Sequence, residues 1–523
     1  MFMGSNNSTR ELLFDLIKCR KKNELLNKKM VWESGKALLD CYDITRCGFR
    51  YRYQLDDSGI EREIERASKE EAVFKRIIFS EGFLQVFKDV SDNYEIIGEK
   101  RYSRQIDVEI DNEKRRVIIE AVCDAYLPRY REAVIVRHIK HIKDREKIKI
   151  PKIHHIEQAA LIQWISVDTN DYIERVRLIY YIGFGKAFEE YVIETKISES
   201  YVFRANFEER VIDRIIYILK GQGPIYDWEC RYCPHRDVCN KKIESSASSV
   251  KNGVKPLIHQ EGNEWRCYRD ITMKNLMILL RKLIERDIEI SERVLEHRSI
   301  PIIRVHVTDL IYCPLKYWYN NYIPYLQIAD KIKPSIIRGE IVHRGIARIL
   351  NEMNRCIDIA ERKLIERIDI EKKLMKPYVV DQTMFTVEGR ADAIVRHRGI
   401  DHGKGPMKII EIKTSEKKYT SSQKHHEDQL KWYLSISGED DVSGEIIYVY
   451  EGDDGKIQFE SKHINERFTN DKIMADLKKL LDVAKGEIDP NTKCYAQYDW
   501  ECKYCYFRYL CPSSCQEHKS RKP

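Results

Sequence analysis

No run of about eighteen or more apolar residues occurs in the 523-residue chain, and a bilayer span needs about twenty. A membrane-spanning helix is therefore excluded. Met1–Arg10 is polar and lacks the apolar core of a secretory leader, so a cytoplasmic protein is expected. Charge of one sign is not in large excess either. Lys and Arg number 91 against 84 Asp and Glu, a net charge of +7. That balance permits a nucleic-acid partner without requiring one. What is present is an ordinary apolar share of 43%, enough for globular cores, in a chain long enough for roughly two to four domains.

Fifteen cysteines are not expected to form disulfides in a cytosolic chain. Eight fall into two sets of matching layout, Cys47, Cys230, Cys233, Cys239 and Cys313, Cys502, Cys505, Cys511. The other seven (Cys19, Cys41, Cys123, Cys267, Cys356, Cys494, Cys515) show no such pattern and read as small buried hydrophobes.

The matching sets belong to a longer internal repeat. Trp228-Glu-Cys230-Arg-Tyr-Cys233 matches Trp500-Glu-Cys502-Lys-Tyr-Cys505, 272 residues later. Asp43-Ile-Thr-Arg-Cys47 matches Asp309-Leu-Ile-Tyr-Cys313 at an offset of 266, and Glu120-Ala-Val-Cys-Asp124 matches Glu388-Gly-Arg-Ala-Asp392 at 268. His154-His155-Ile-Glu-Gln158 matches His425-His426-Glu-Asp-Gln429 at 271. Collinear matches at nearly one offset mark a duplicated unit. A Ser- and Gly-containing stretch separates the copies, which gives domains at 1–242 and 265–523 with a linker at 243–264. Each copy is expected to open on an amphipathic helix, about 9–28 and 270–297.

Within the second copy, residues 335–353, 421–437 and 468–485 have helical patterning, while 385–397, 408–414, 445–450 and 456–463 read as strands. The expected architecture is α/β, a mixed sheet flanked by helices. Asp392 lies on one such strand and Glu411 on the next. Ile410 and Ile412 flank Glu411 on the opposite face, so Glu411 and Lys413 project together. Hard oxygen ligands for Mg²⁺ or Mn²⁺ beside an ammonium group are what phosphodiester hydrolysis needs. The bland alternative for Glu411 and Lys413 is a solvent-facing salt bridge on an edge strand.

Gly339-x3-His343, Gly389-Arg-Ala-Asp392, Glu411-Ile412-Lys413 and Gln429-Leu-Lys-Trp-Tyr433 stand in the order seen in RecB-like, PD-(D/E)xK nucleases. With Cys313 before them and Cys502-x2-Cys505-x5-Cys511 after them, residues 305–515 resemble the CRISPR-associated exonucleases of spacer adaptation and the nuclease domain of AddB-type helicase–nucleases. The resemblance implies two tandem restriction-endonuclease-like domains and DNA as substrate. It implies that His343, Asp392, Glu411 and the Ile412 carbonyl bind Mg²⁺ or Mn²⁺. Lys413 would orient or activate the attacking water, and Gln429 and Tyr433 would position Lys413 or DNA. A helix-surface histidine is the alternative for His343, and core packing beside Trp432 the alternative for Tyr433.

Cys-x2-Cys spacing alone leaves iron and zinc open. The first thiol of each set lies far upstream of the rest, so one metal centre would tie together the two ends of each copy. The resemblance implies a [4Fe–4S] cluster on Cys313, Cys502, Cys505 and Cys511, and a second on Cys47, Cys230, Cys233 and Cys239, where either metal is open. A role beside a CRISPR integrase, or beside a helicase in repair or a mobile element, follows from resemblance too. A non-catalytic iron–sulfur DNA-binding scaffold is the reading of a different class.

The first copy is expected to be catalytically inactive. Asp124 stands opposite Asp392, but Ile135 falls where Glu411 is, Arg137 where Lys413 is and Ile162 where Tyr433 is. One carboxylate cannot hold Mg²⁺ well. Arg129, Arg131, Arg137, His138, Lys140, Lys143 and Arg145 crowd one stretch, either to meet phosphates or as a solvated face.

Overall fold

In the computed structural model, the described residues are 9–69, 73–74, 82, 97–139, 151–182, 187–226, 229–233, 235, 239, 256–259, 264–269, 302–317, 334–351, 365–398, 404–415, 418, 423–452, 456–485, 487, 496–498, 500–505 and 511. Their strands form two mixed sheets. The first contains β1 (Lys36–Asp40), β2 (Ile97–Ile110), β3 (Glu113–Leu127), β4 (Glu132–Ile139), β5 (Arg175–Ile182), β6 (Ala187–Thr195) and β7 (Trp265–Arg269). The second contains β8 (Ile302–His306), β9 (Ile365–Val380), β10 (Thr383–Arg398), β11 (Lys404–Ser415), β12 (Val442–Glu451) and β13 (Ile457–Ile464).

The pairing is written twice, as the sequence repeat implies. β1 runs parallel to β3 and β8 parallel to β10. β3 pairs antiparallel with β2 and β4, as β10 does with β9 and β11. β4 runs parallel to β5 and β11 parallel to β12, and each sheet then adds an antiparallel strand, β6 or β13.

Local backbone repeats as well. The β2–β3 turn has Asp111 and Asn112 at φ 52° and 67°, and the β9–β10 turn has Asp381 and Gln382 at φ 46° and 66°. Two successive left-handed residues give the tight turn whose twist suits antiparallel strands. Each hairpin carries one further left-handed residue, Glu99 at φ 45° and Glu371 at φ 48°. There the ladder skips a pair. Gly98 and Lys100 pair with Ala125 and Cys123, while Ile370 and Lys372 pair with Ala393 and Ala391. Glu99 is thus left opposite Asp124, and Glu371 opposite Asp392.

One helix packs centrally on each sheet. Helix Ile153–Ser166 buries every residue from His154 onward, and helix Lys424–Ile436 buries Leu430, Trp432, Tyr433 and Leu434. Trp164 and Trp432 are the largest fully buried side chains of their cores. A large apolar side chain removed from water contributes about 1.5–3 kcal/mol, so these helices fix the faces they cover.

The chain divides into two compact units. One gathers residues 13–280 and 337–359 around the first sheet, and the other gathers 1–12, 281–336 and 360–523 around the second. These bounds differ from the expected domains at three points, the first being residues 1–12, which are counted with the second sheet. β7, read as the start of the second copy, pairs antiparallel with β6, where it completes an otherwise open sheet edge. Helix Pro334–Asn351 counts from Ile337 onward with the first sheet. Arg348 on that helix pairs with Glu99 at 3.5 Å. The expected helix over 270–297 lies outside the described residues. Among the described residues no helix is long and apolar enough to cross a membrane.

Candidate active site

β11 presents its two faces as the sequence alternation requires. Ile410 and Ile412 are fully buried, which turns Glu411 and Lys413 to the other face. The Lys413 ammonium donates to Glu411 Oε1 at 2.6 Å. Asp392 follows from the antiparallel register, one position beyond the Ala393–Ile410 pair. Its Oδ2 accepts from the Ile412 amide at 2.6 Å. The strand backbone thereby locks the aspartate beside the Glu411–Lys413 pair.

Helix Lys424–Ile436 closes the group from above. Gln429 is buried, and its amide oxygen accepts from Lys413 Nζ at 2.9 Å. Its amide nitrogen donates to Glu411 Oε1 at 2.9 Å and to the Tyr433 hydroxyl at 2.8 Å. Tyr433 in turn donates to the Arg390 carbonyl at 3.1 Å. Every hydrogen-bonding atom of this amide is engaged, and the amide fixes the ammonium and the carboxylate at once. The four-residue spacing of Gln429 and Tyr433 puts both on one helix face. Gly389 makes room for the tyrosine, since a Cβ there would lie 2.9 Å from Tyr433 Cδ1 and 3.1 Å from Val307 Cγ2.

The charges are mutually dependent. Burial pulls the Lys413 pKa down, but the Glu411 and Asp392 carboxylates outweigh it and hold the pKa above the ordinary lysine value. Burial, with the Glu411 charge adding, pushes Tyr433 well up. Burial and then the Lys413 charge lower His426 to about 2 and His425 to about 4.

The first sheet repeats the scaffold without the full set. Asp124 Oδ2 accepts from the Val136 amide at 2.6 Å, the counterpart of the Asp392 bond. Arg137 donates to Gln158 Oε1 at 3.0 Å, as Lys413 does to Gln429. Ile135 occupies the Glu411 position and Ile162 the Tyr433 position, both in the core. Arg137 is thus turned into the pseudo-site. Lys140, Lys143 and Arg145 lie outside the described residues, and so does the side chain of His138. Arg131 is taken up by Glu174 at 3.1 Å and by the face of Tyr172.

His343 lies on helix Pro334–Asn351, described from Ile337 onward with the other compact unit. Among the described residues no three His, Cys, Asp or Glu side chains are gathered in a way that could hold a metal ion.

The expected cysteine sets are partly buried and near one another in pairs. Cys47 neighbours Cys233, Cys233 neighbours Cys239, and Cys313 neighbours Cys511. Burial pushes the Cys47 and Cys313 thiols up to about 12. The chain ends they come from do meet. The Cys313 amide donates to Glu501 Oε2 at 2.7 Å, and Gln497 donates to the Leu310 and Tyr312 carbonyls at 3.1 and 3.2 Å. Of the seven unpatterned cysteines, Cys41 and Cys123 are buried and free as expected, Cys267 is half-buried, and Cys19 is disulfide-bonded.

Sequence reasoning missed a cluster of aromatic side chains that includes His425, one helical turn before Gln429. Tyr312, His425 and Trp500 fall inside the quoted repeat motifs, and Tyr498 lies two residues before the last of them.

The structure thus brings together a strand aspartate, a next-strand glutamate and a lysine two residues on. Residues 359–512 match the family model of the PD-(D/E)XK nuclease superfamily. This chain is similar to the CRISPR-associated exonuclease Cas4 of Saccharolobus solfataricus, with 28% identity over 209 residues, 40% of this chain and 87% of that protein. The crystal structure of SSO0001 is 24% identical over 46% of this chain and 96% of its own, with a TM-score of 0.35, a likeness too slight to bear on the fold.

Proposed function

We propose that the second half is a divalent-metal-dependent DNA nuclease, an exonuclease on single-stranded or unwound DNA. The observation that carries this reading is the convergence of Asp392, Glu411 and Lys413, with Gln429 bridging the last two. Asp392, Glu411 and the Ile412 carbonyl are the proposed ligands of Mg²⁺ or Mn²⁺. Such an ion polarises the phosphate and lowers the pKa of a bound water. Carboxylate and carbonyl oxygens are the donors these ions prefer. His343, implied by the resemblance, is proposed as a further ligand.

The chain's own groups have separate parts. Lys413, an ammonium, orients the attacking water and offsets the negative charge that builds on the phosphate oxygens. Gln429 holds Lys413 in reach of both, and Tyr433 holds Gln429. The first half, with Ile135 in place of the glutamate, guides DNA or a partner without cutting. Each cysteine set holds a [4Fe–4S] cluster that ties the ends of its half together; four thiolates suit that cluster. The pathway proposed is CRISPR spacer acquisition in the cytoplasm, beside an integrase.

End-labelled single-stranded DNA, with either the 5′ or the 3′ end blocked, is incubated with Mn²⁺ and separately with EDTA. Degradation in Mn²⁺ by wild type and not by Lys413→Ala supports the assignment. Equal degradation by both would remove Lys413 from the reaction.

A further inference from the structure

Four aromatic rings stand together at the edge of the site described above. Tyr312 lies 6.2 Å from His425, 6.4 Å from Tyr498 and 5.9 Å from Trp500 between ring centroids. His425 lies 5.0 Å from Trp500 and 5.5 Å from Tyr498, and Tyr498 and Trp500 are nearly parallel at 7°. The Lys316 ammonium sits 5.1 Å above the Tyr312 ring. His425 lies one helical turn before Gln429 on helix Lys424–Ile436, and Gln429 accepts from Lys413 at 2.9 Å. The cluster therefore borders the carboxylate–lysine group.

The first half supplies an internal comparison. There His154 and Tyr226 occupy the places of His425 and Tyr498, and Arg46 replaces Tyr312. His154 and Tyr226 are 5% and 4% exposed. The Tyr226 hydroxyl bonds to the buried Glu157, whose other oxygen accepts from the Leu257 amide at 2.9 Å, so this copy is covered. Tyr312, His425, Tyr498 and Trp500 are all only half-buried. The open aromatic face thus accompanies the complete Asp392–Glu411–Lys413 set, and its closed version accompanies the incomplete one.

We propose that Tyr312, His425 and Trp500 form a ledge on which an unpaired DNA base stacks next to the scissile phosphate. Aromatic faces interleaved with lysines are how single strands are held without sequence preference, because every base has a π-face and every phosphate a charge. Base pairing hides the face that the ledge needs, so the ledge favours unpaired ends. The inference rests on the nuclease reading for its place in the reaction, but its binding is separately measurable.

The full-length protein is titrated in EDTA, so that nothing is cut, with a labelled dT oligomer and with an abasic oligomer of equal length. Wild type is expected to bind the abasic strand about tenfold more weakly. Tyr312→Leu and Trp500→Leu are expected to lose about tenfold on dT and nothing on the abasic strand, while Tyr312→Phe keeps wild-type binding. Equal wild-type affinity for both strands overturns the ledge without any variant having to fold. So does an equal loss on both strands in the leucine variants. Cleavage in Mn²⁺ is scored apart. If base-dependent binding persists where no cleavage occurs, the nuclease reading fails and the ledge stands; cleavage without base dependence removes the ledge alone.

Discussion

Removing the Lys413 ammonium tests the electrostatics of the site through stability as well as through rate. In the Lys413–Glu411 pair, side-chain exposure is 18% and 4%, so Lys413→Ala leaves a carboxylate out of water with Asp392 close by. Breaking a buried pair from one side costs about 3–5 kcal/mol; the partly open lysine end places this one near the lower figure, about 3 kcal/mol. In a unit of this size each kcal/mol moves the unfolding midpoint by about 2–4 °C, so calorimetry in EDTA is expected to show a fall of about 6–12 °C. In a Glu411→Gln background the same lysine substitution should cost less than about 1 kcal/mol, because no charge is stranded. Mn²⁺ at about a hundredfold excess over its dissociation constant should return about 2.7 kcal/mol to Lys413→Ala, since cation binding supplies the missing positive charge. An equal cost in both backgrounds would show that the pair is not coupled, and the charge balance described for the site would be refuted.

Tyr433→Phe strips one partner from Gln429 and one from the Arg390 carbonyl, and it should cost about 1–3 kcal/mol and lower DNA cleavage in a timed assay. His426 and His425, held at about 2 and about 4 by burial and Lys413, stay neutral in the fold but take up protons in the unfolded chain below about 6.5. Stability from these groups is fully present above that pH and is lost as the pH falls. Urea midpoints from pH 7.5 to 5 should therefore drop, and His426→Gln should flatten the drop. Asp124→Asn should leave cleavage within about twofold of wild type, because Ile135 supplies no second carboxylate there. Anaerobically prepared protein should contain about eight iron atoms if both cysteine sets hold a [4Fe–4S] cluster and about four if one does; zinc without iron would reverse the choice of metal.

Much of the site was legible because strand alternation is strict. Ile410 and Ile412 on either side of Glu411 announce which way Glu411 and Lys413 turn, and the flanking aspartate follows from the repeat. The strands over 385–397, 408–414, 445–450 and 456–463 and the helices over 421–437 and 468–485 match β10 to β13 and helices Lys424–Ile436 and Asn470–Ala484 within a few residues. β9 went unread because its burial hardly alternates, with Met375 and Val379 exposed. Its long hairpin is specified by backbone at Asp381 and Gln382, and neither residue is a glycine that would flag the turn. Periodicity reports which face of helix Pro334–Asn351 is apolar, and it does not report which of two similar sheets the helix is counted with.

The bond from the Cys313 amide to Glu501 spans 188 residues of chain, and Gln497 fastens the same spot from beside it. The C-terminal stretch therefore acts as a buckle on a belt. Shortening the protein before Gln497 would not trim a loose end: it would release the segment after β8 that carries Tyr312, and a protease nick there should be felt at Lys413 before it is felt in the sheet.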